Sequence, residues 1–173
     1  MERLGELMER LEGVRFKSYK DTKGLVTVGY GFNMDANRAM QIWVNLDIME
    51  DFDDVYSGDE ELSHFSSIVL LEYFWEKCIQ SASKRCKKLN VDYANLPEWH
   101  RFVLADIVYN TGSLSKWYRV IIETEPEKVL MEARRRPHEV MDSRVAKIGY
   151  FFGLLGSVDE AISLGLDGTR YVK

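Results

Sequence analysis

Residues 12–31 of the chain read Glu-Gly-Val-Arg-Phe-Lys-Ser-Tyr-Lys-Asp-Thr-Lys-Gly-Leu-Val-Thr-Val-Gly-Tyr-Gly, and this stretch decides the predicted fold. Upstream of it, apolar residues recur at the three- and four-residue intervals of a helix with one apolar face, namely Leu4, Leu7, Met8 and Leu11. Gly13 supplies the left-handed stop that commonly ends helices, which places Glu12 on the last turn. The sequence therefore predicts a helix that ends on an acidic side chain.

A short β-hairpin is predicted immediately downstream. The runs Val14 to Tyr19 and Leu25 to Tyr30 are rich in β-formers, and Asp21-Thr-Lys-Gly24 between them has the residues of a turn. Asp21 then lies at the tip of the hairpin. Because side chains alternate along a strand, Thr27 points away from the face on which its two valine neighbours pack.

Glu12 and Asp21 are expected to lie in different surroundings. Glu12 lies beside an apolar stripe and at the negative end of a helix dipole, and both influences favour its protonated form. Asp21, in a turn between Lys20 and Lys23, should stay ionised and hydrated. Acid/base hydrolysis of a glycosidic bond requires such a pair, since one carboxyl protonates the leaving oxygen while the other activates water. We expect Thr27 to hold that water.

The order and spacing of these residues resemble the catalytic segment of the T-even phage lysozymes, the muramidases of glycoside hydrolase family twenty-four. Eight residues separate Glu12 from Asp21, five separate Asp21 from Thr27, and Val-Gly-Tyr-Gly follows. The resemblance implies that Glu12 is the acid and that Asp21 and Thr27 work with the attacking water. It also implies cleavage of peptidoglycan glycan strands between N-acetylmuramic acid and N-acetylglucosamine, with inversion and without metal or cofactor.

Simpler interpretations of the same residues stay open. A glutamate near a helix end is usually a solvated charge, and an aspartate in a turn is usually a turn former. A wall-binding or structural module that kept the fold and lost activity would also fit. A lytic transglycosylase is a further alternative, because it can work with one acid and an internal sugar nucleophile, whereas Asp21 and Thr27 favour a hydrolase.

The resemblance implies an α+β, mainly α, lysozyme-like fold in one domain. A small lobe with the β-hairpin covers about residues 13–62, a linking helix about 63–85, and a larger helical lobe about 86–173 together with the N-terminal helix. The segment Ser63 to Arg85 has helical periodicity and lacks Gly and Pro. Residues 36–49 also favour a helix, and the acidic residues 50–61 are expected to form a loop or a short helix.

Two later segments also resemble the family. Leu96-Pro97-Glu98 has the form of a helix start, and that helix runs into Tyr109-Asn110-Thr-Gly112. The latter resembles the family's aromatic-amide-x-Gly segment, which implies that Tyr109 stacks on a sugar face and that Asn110 hydrogen-bonds to an acetamido or hydroxyl group. A helix end capped by Gly112 is expected whether or not sugar binds. Asp142-Ser-Arg-Val-Ala-Lys-Ile resembles a late segment whose arginine, here Arg144, pairs with the catalytic glutamate. As a departure, Phe32 stands where family members often carry histidine.

Composition sets limits on partners and compartment. The chain has 173 residues, of which 46% are hydrophobic, and a net charge of −5. This suits one soluble domain and fits neither a general nucleic-acid binder nor a protein drawn to an anionic wall by its charge. The first residues are charged, so no signal peptide is expected, and no apolar run has the length of a membrane span. We expect a monomer in the host bacterial cytoplasm before release to the wall, or a virion-associated protein.

The cysteines and histidines do not predict a metal or disulfide site. Cys78 and Cys86 lie in one predicted helix, roughly 12 Å apart at about 1.5 Å per residue. A disulfide requires a much shorter separation, so free thiols are expected. The three histidines are scattered through the chain without metal-ligand spacing.

Overall fold

The computed structural model describes residues 2–112 and residue 152 of the chain. In chain order the elements are α1 (Glu2–Glu12), β1 (Arg15–Lys20), β2 (Val26–Gly29), β3 (Phe32–Asn33), α2 (Ala39–Asn45), α3 (Phe52–Ser57), α4 (His64–Lys88), a 3₁₀ turn (Tyr93–Asn95) and α5 (Glu98–Thr111). The coarse prediction of a mixed α+β protein that is mainly helical is confirmed. Among the described helices, none is long and apolar enough to cross a membrane.

The chain divides into two compact units between Phe74 and Trp75, a point that lies within α4. The first unit contains α1, the three strands, α2, α3 and the beginning of α4. The described part of the second unit contains the rest of α4 and α5. The division into a lobe at 13–62, a linking helix at 63–85 and a lobe at 86–173 stays a prediction.

The strands of the first unit form one antiparallel sheet in the order β1-β2-β3. The predicted hairpin is confirmed, since Tyr19 pairs with Thr27 and Lys20 pairs with Val26. The sequence does not predict β3, because its two residues are too few to show an alternating pattern. β3 makes β2 the central strand, so that the strand carrying Thr27 has a hydrogen-bonded neighbour on each side.

Apolar side chains from the sheet and the helices form the core of the first unit. The buried cluster consists of Val28, Phe32, Met34, Ala39, Trp43, Val55, Leu62 and Leu70. Leu7 and Met8 of α1 are also fully buried. α1 approaches α4 so closely that a Cβ added to Gly5 would lie 2.9 Å from Cδ1 of Ile68. This contact fixes the position of α1 and therefore of Glu12 at its end.

Helix boundaries follow the sequence expectations in part. α2 covers only Ala39–Asn45 of the predicted residues 36–49, because Asp47 turns into the left-handed region with φ 50°. In the acidic stretch, the short-helix alternative is the observed one. α3 forms there because the Asp51 side chain accepts hydrogen bonds from the N–H groups of Asp53 and Asp54, which caps the helix. α4 confirms the helix predicted from Ser63 to about Arg85 and extends it to Lys88.

The N-terminus of α4 is capped by Ser63 and by Glu50 from the preceding loop. Ser63 Oγ accepts from Ser66 N at 3.1 Å. Glu50 accepts from Ser63 N at 2.7 Å and from Ser66 Oγ at 2.6 Å, one bond to each carboxylate oxygen. Burial raises the pKa of Glu50, but the hydrogen bonds from Ser63 and Ser66 outweigh burial, so its pKa lies below the usual value. A carboxylate at this position also compensates the helix dipole.

Replacing Glu50 by glutamine is expected to lower the free energy of unfolding by about 1–2 kcal/mol at pH 7, because bonds to a charged acceptor are lost. The folded pKa is below the unfolded value of about 4.3, so the carboxylate stabilises fully above that pH and loses its effect as the pH falls toward the folded pKa. Urea unfolding at pH 7 and in steps below about pH 4.5 should show the difference from wild type shrinking. Glu61→Gln, an exposed acid in the same stretch, is the control and should change little. A difference that stays constant with pH would contradict this role.

The described part of the second unit is built on aromatic packing between α4 and α5. The rings of Trp75 and Phe102 lie 4.5 Å apart, and Phe152 lies 5.7 Å from Phe102. Val103, Leu104 and neighbouring residues of α5 are buried. The predicted helix start at Leu96-Pro97-Glu98 is confirmed, since α5 begins at Glu98 with Pro97 at its N-cap.

Candidate active site

Glu12 is the last residue of α1, as predicted. Gly13 adopts a left-handed conformation with φ 71°, and its N–H donates to Glu9 O at 2.8 Å, which closes the helix. Glu12 lies beside the apolar stripe of α1, but the expectation that its carboxyl is buried there is wrong, because the side chain is exposed. The reason is geometric: at 3.6 residues per turn, Glu12 lies about 90° around the helix from the middle of the buried face that contains Leu7 and Met8.

Asp21 forms the turn of the hairpin with its own side chain. Its Oδ1 accepts from Lys23 N at 2.8 Å and from Leu25 N at 2.9 Å, and its backbone N–H donates to Leu25 O at 2.9 Å. The side chain is half-buried, so the expectation of a fully hydrated carboxylate is wrong. The carboxylate turns inward because it satisfies two backbone donors that the tight turn leaves unpaired. Within residues 2–112, no hydrogen bond occupies the second carboxylate oxygen.

Thr27 lies on the face of β2 opposite to Val28, as the alternation predicts. Val28 is fully buried in the core of the first unit, yet Thr27 is itself only 4% exposed. Its Oγ1 donates to Leu25 O at 3.1 Å. Because the hydroxyl proton is donated to the Leu25 carbonyl, Thr27 Oγ1 can only accept a hydrogen bond from a water molecule.

The hairpin brings Asp21 and Thr27 together around one backbone group. The register pairs Tyr19 with Thr27, and Asp21 lies two residues beyond Tyr19, so it belongs to the same side of the sheet as Thr27. The Leu25 carbonyl accepts from both Asp21 N and Thr27 Oγ1. Glu12 approaches the same hairpin from its base, three residues before Arg15, which pairs with Gly29. Asp21 at the tip and Glu12 at the base thus lie toward opposite ends of β1.

The two residues predicted to bind sugar lie in the second unit, at the end of α5. The Asn110 side-chain amide donates to the backbone oxygen of Asp106 at 2.9 Å and to its Oδ1 at 3.3 Å. The Tyr109 ring is half-buried and lies 6.1 Å from the Trp75 ring. Gly112 N donates to Val108 O at 2.8 Å and closes the helix, as the simpler interpretation of this segment states. The amide nitrogen of Asn110 is engaged in the helix, which leaves its carbonyl oxygen for a ligand.

Arg144, predicted to pair with Glu12, lies outside the described residues, as does His138. The thiols of Cys78 and Cys86 are free and buried. Burial and the nearby charge of Asp106 raise the pKa of Cys78 to about 11, and burial raises the pKa of Cys86. Such thiols stay protonated at neutral pH and are poor nucleophiles. In the described ranges, no group of three or more His, Cys, Asp or Glu residues could hold a metal ion.

Two residues near the candidate site are missed by sequence reasoning. Asp35 Oδ2 accepts from Val26 N at 2.7 Å, and its Oδ1 accepts from Tyr56 OH at 2.7 Å. A local signal for Asp35 does exist, because Asn33 Oδ1 accepts from Asp35 N at 2.9 Å in an Asn-x-Asp turn. The contact with Tyr56 joins residues 21 positions apart in the chain and has no local signal.

No model of a known protein family matches the chain, and no curated protein is significantly similar to it in sequence. The resemblance to the phage lysozymes therefore depends on the motif residues themselves, above all residues 12–31.

Proposed function

We propose that the chain is a peptidoglycan hydrolase with a lysozyme-like fold, a muramidase that cleaves the bond between N-acetylmuramic acid and N-acetylglucosamine with inversion and so lyses bacterial cell walls. The observation that carries the proposal is that both groups meant for the attacking water bond to the backbone of Leu25: its N–H donates to Asp21 Oδ1 at 2.9 Å, and its carbonyl accepts from Thr27 Oγ1 at 3.1 Å. Glu12, exposed at the end of α1, is the third member of the motif.

Each residue has a defined role in this mechanism. Glu12 donates its proton to the glycosidic oxygen as the bond to the leaving sugar breaks. A water molecule attacks the anomeric carbon from the opposite face, and the second carboxylate oxygen of Asp21 accepts a proton from that water. Thr27 orients the water by accepting its other O–H in an oxygen lone pair. The products are two shorter glycan strands, one of which has a new reducing end of inverted configuration.

The substrate contacts outside the catalytic triplet are part of the same proposal. Tyr109 would stack on a sugar face, and the Asn110 carbonyl oxygen would accept from a hydroxyl or acetamido N–H. Arg144 would support Glu12. We expect a monomer that requires neither cofactor nor metal, does not insert into membranes, does not bind nucleic acid, and meets the wall after release from the host cytoplasm or as part of a virion.

A second candidate function, an inactive wall-binding or structural module, is favoured by two specific observations. Asp21 Oδ1 is fully used in its turn, with two backbone donors within 2.9 Å, and Thr27 is only 4% exposed. Asp21 therefore stabilises the turn and Thr27 is part of the packed interior, and both roles would exist in a protein without catalytic activity.

Turnover of purified sacculi separates the two candidates. The hydrolase should bind sacculi and release reducing ends, and mass spectrometry should find muropeptides with intact reducing muramic acid. NMR of the fresh products should show the inverted anomer first. Binding without release of ends would favour the inactive module, whereas 1,6-anhydromuramoyl ends would identify a lytic transglycosylase. Heat-denatured protein serves as the blank.

A further inference from the structure

The peptide group between Leu25 and Val26 makes hydrogen bonds to three other residues of the first unit, two through their side chains and one through its backbone N–H. Its carbonyl oxygen accepts from Thr27 Oγ1 at 3.1 Å and from Asp21 N at 2.9 Å. Its N–H donates to Asp35 Oδ2 at 2.7 Å. Because a trans peptide is planar, its N–H and C=O point in opposite directions and turn together. The bond to Asp35 therefore fixes the direction of the carbonyl that accepts from the Thr27 hydroxyl and from the backbone N–H of the Asp21 turn.

Asp35 occupies a position where the sheet ladder would otherwise end. β3 stops at Asn33, and Met34 N still donates to Val26 O at 2.8 Å. The Asp35 carboxylate then replaces a backbone carbonyl as the acceptor for Val26 N–H. A charged acceptor makes a stronger hydrogen bond than a carbonyl does and polarises the peptide group, which strengthens the bonds on its oxygen.

Asp35 is itself held from a second element. Tyr56 of α3 donates from its hydroxyl to Asp35 Oδ1 at 2.7 Å, and its ring stacks on Phe52 at 6.3 Å. The hydrogen bond from Val26 N–H and then that from Tyr56 hold the pKa of Asp35 below its usual value, with a smaller contribution from the charge of Lys20. Asp35 is therefore ionised at neutral pH.

We propose that Asp35, held by Tyr56, is a positioning residue that orients Asp21 and Thr27 for activation of the attacking water through the Leu25–Val26 peptide group. The proposal rests on the hydrolase function proposed above. Because Asp35 acts through the backbone of β2, its loss should slow the chemical step and leave substrate binding nearly unchanged.

The test is a graded set of variants assayed on soluble glycan fragments well below their unfolding temperatures. We expect kcat to fall about tenfold in Asp35→Ala and less in Asp35→Asn, which keeps a neutral acceptor, with KM within about twofold throughout. Tyr56→Phe should raise the pKa of Asp35, so the loss of kcat on the acid side should begin at a higher pH than in wild type.

Asp92→Ala is the matched control. Asp92 is also an exposed carboxylate that accepts from one backbone N–H, that of Ala94 at 3.0 Å, and from one side-chain donor, Asn95 Nδ2 at 2.9 Å. It belongs to the second unit and is not part of the positioning machinery. Asp92→Ala should lose stability and keep wild-type kcat. Asp35→Ala with unchanged kcat, or Asp92→Ala with an equal fall in kcat, would overturn the positioning role.

NMR provides a readout that does not depend on activity. In Asp35→Ala, the Val26 amide should exchange faster with solvent, and the χ1 couplings of Thr27 should show rotamer averaging that wild type and Asp92→Ala lack. If wild type releases no reducing ends, the hydrolase proposal fails by itself. The χ1 couplings of Thr27 then test whether Asp35 positions Thr27. An unchanged Thr27 rotamer in Asp35→Ala would overturn that positioning role.

Discussion

Glu12→Gln is expected to reduce the rate of sacculus lysis about a hundredfold or more while the protein stays folded. Glutamine keeps the size and most of the hydrogen-bonding capacity of the side chain but has no proton to give to the leaving oxygen. Glu12 is exposed at the negative end of the α1 dipole, where a negative charge is unfavourable. Removal of that charge should therefore leave the unfolding temperature unchanged or slightly higher, and the free energy of unfolding should rise by less than about 1 kcal/mol. Paired lysis and thermal-melt measurements provide the check.

Glu9→Gln is the matched control for this prediction. Glu9 is exposed on the same helix, three residues earlier, so its replacement removes the same charge from almost the same place. Its lysis rate should stay close to that of wild type. If the two variants lose activity equally, the effect is a general one of charge at the helix end. If Glu12→Gln lyses sacculi at the wild-type rate, the assignment of Glu12 as the acid is wrong.

Local chemistry made the framework of the candidate site predictable from the sequence. Gly13 has to end α1 because the left-handed conformation there suits glycine, and this places Glu12 on the final turn. The turn from Asp21 to Gly24 closes within a few residues, so its hydrogen bonds depend on neighbours in the sequence. The alternation along β2 then places Thr27 opposite to Val28. Each of these features is decided within about five residues of chain.

The environment of the same residues was not predictable in this way, because it depends on contacts across the fold. An acidic side chain between two lysines is predicted to be hydrated. In the structure, however, the Asp21 carboxylate accepts hydrogen bonds from two backbone N–H groups of its own turn and is half-buried. The sequence does not show whether the face of β2 that carries Thr27 is covered by other residues, and in the structure Thr27 is almost fully buried. The bond from Tyr56 to Asp35 joins α3 to a residue 21 positions earlier in the chain, so it depends on how α3 packs in the folded unit. Patterns therefore located the residues, and tertiary contacts determined their exposure.

Substitutions of Asp21 should separate the effect on catalysis from the effect on folding. One carboxylate oxygen holds the turn, and the other is proposed to accept the proton from water. Asp21→Asn keeps an oxygen that can accept from Lys23 N and Leu25 N, so we expect a loss of less than about 1 kcal/mol in the free energy of unfolding. The amide cannot take a proton from water, so lysis should fall about a hundredfold. Asp21→Ala should show the same fall in lysis and lose about 1–3 kcal/mol of stability, since two backbone donors of the turn become unpaired.

The comparison of the two substitutions distinguishes a catalytic carboxylate from a turn former. If Asp21 is the base, Asn and Ala variants share one low activity although their stabilities differ. If Asp21 only builds the turn, activity follows stability, and Asp21→Asn lyses sacculi nearly as fast as wild type. Asp92→Asn is the control, because Asp92 Oδ1 accepts from Ala94 N at 3.0 Å in a similar turn of the second unit. Its lysis rate should be unchanged, since a neutral acceptor there alters only a local hydrogen bond.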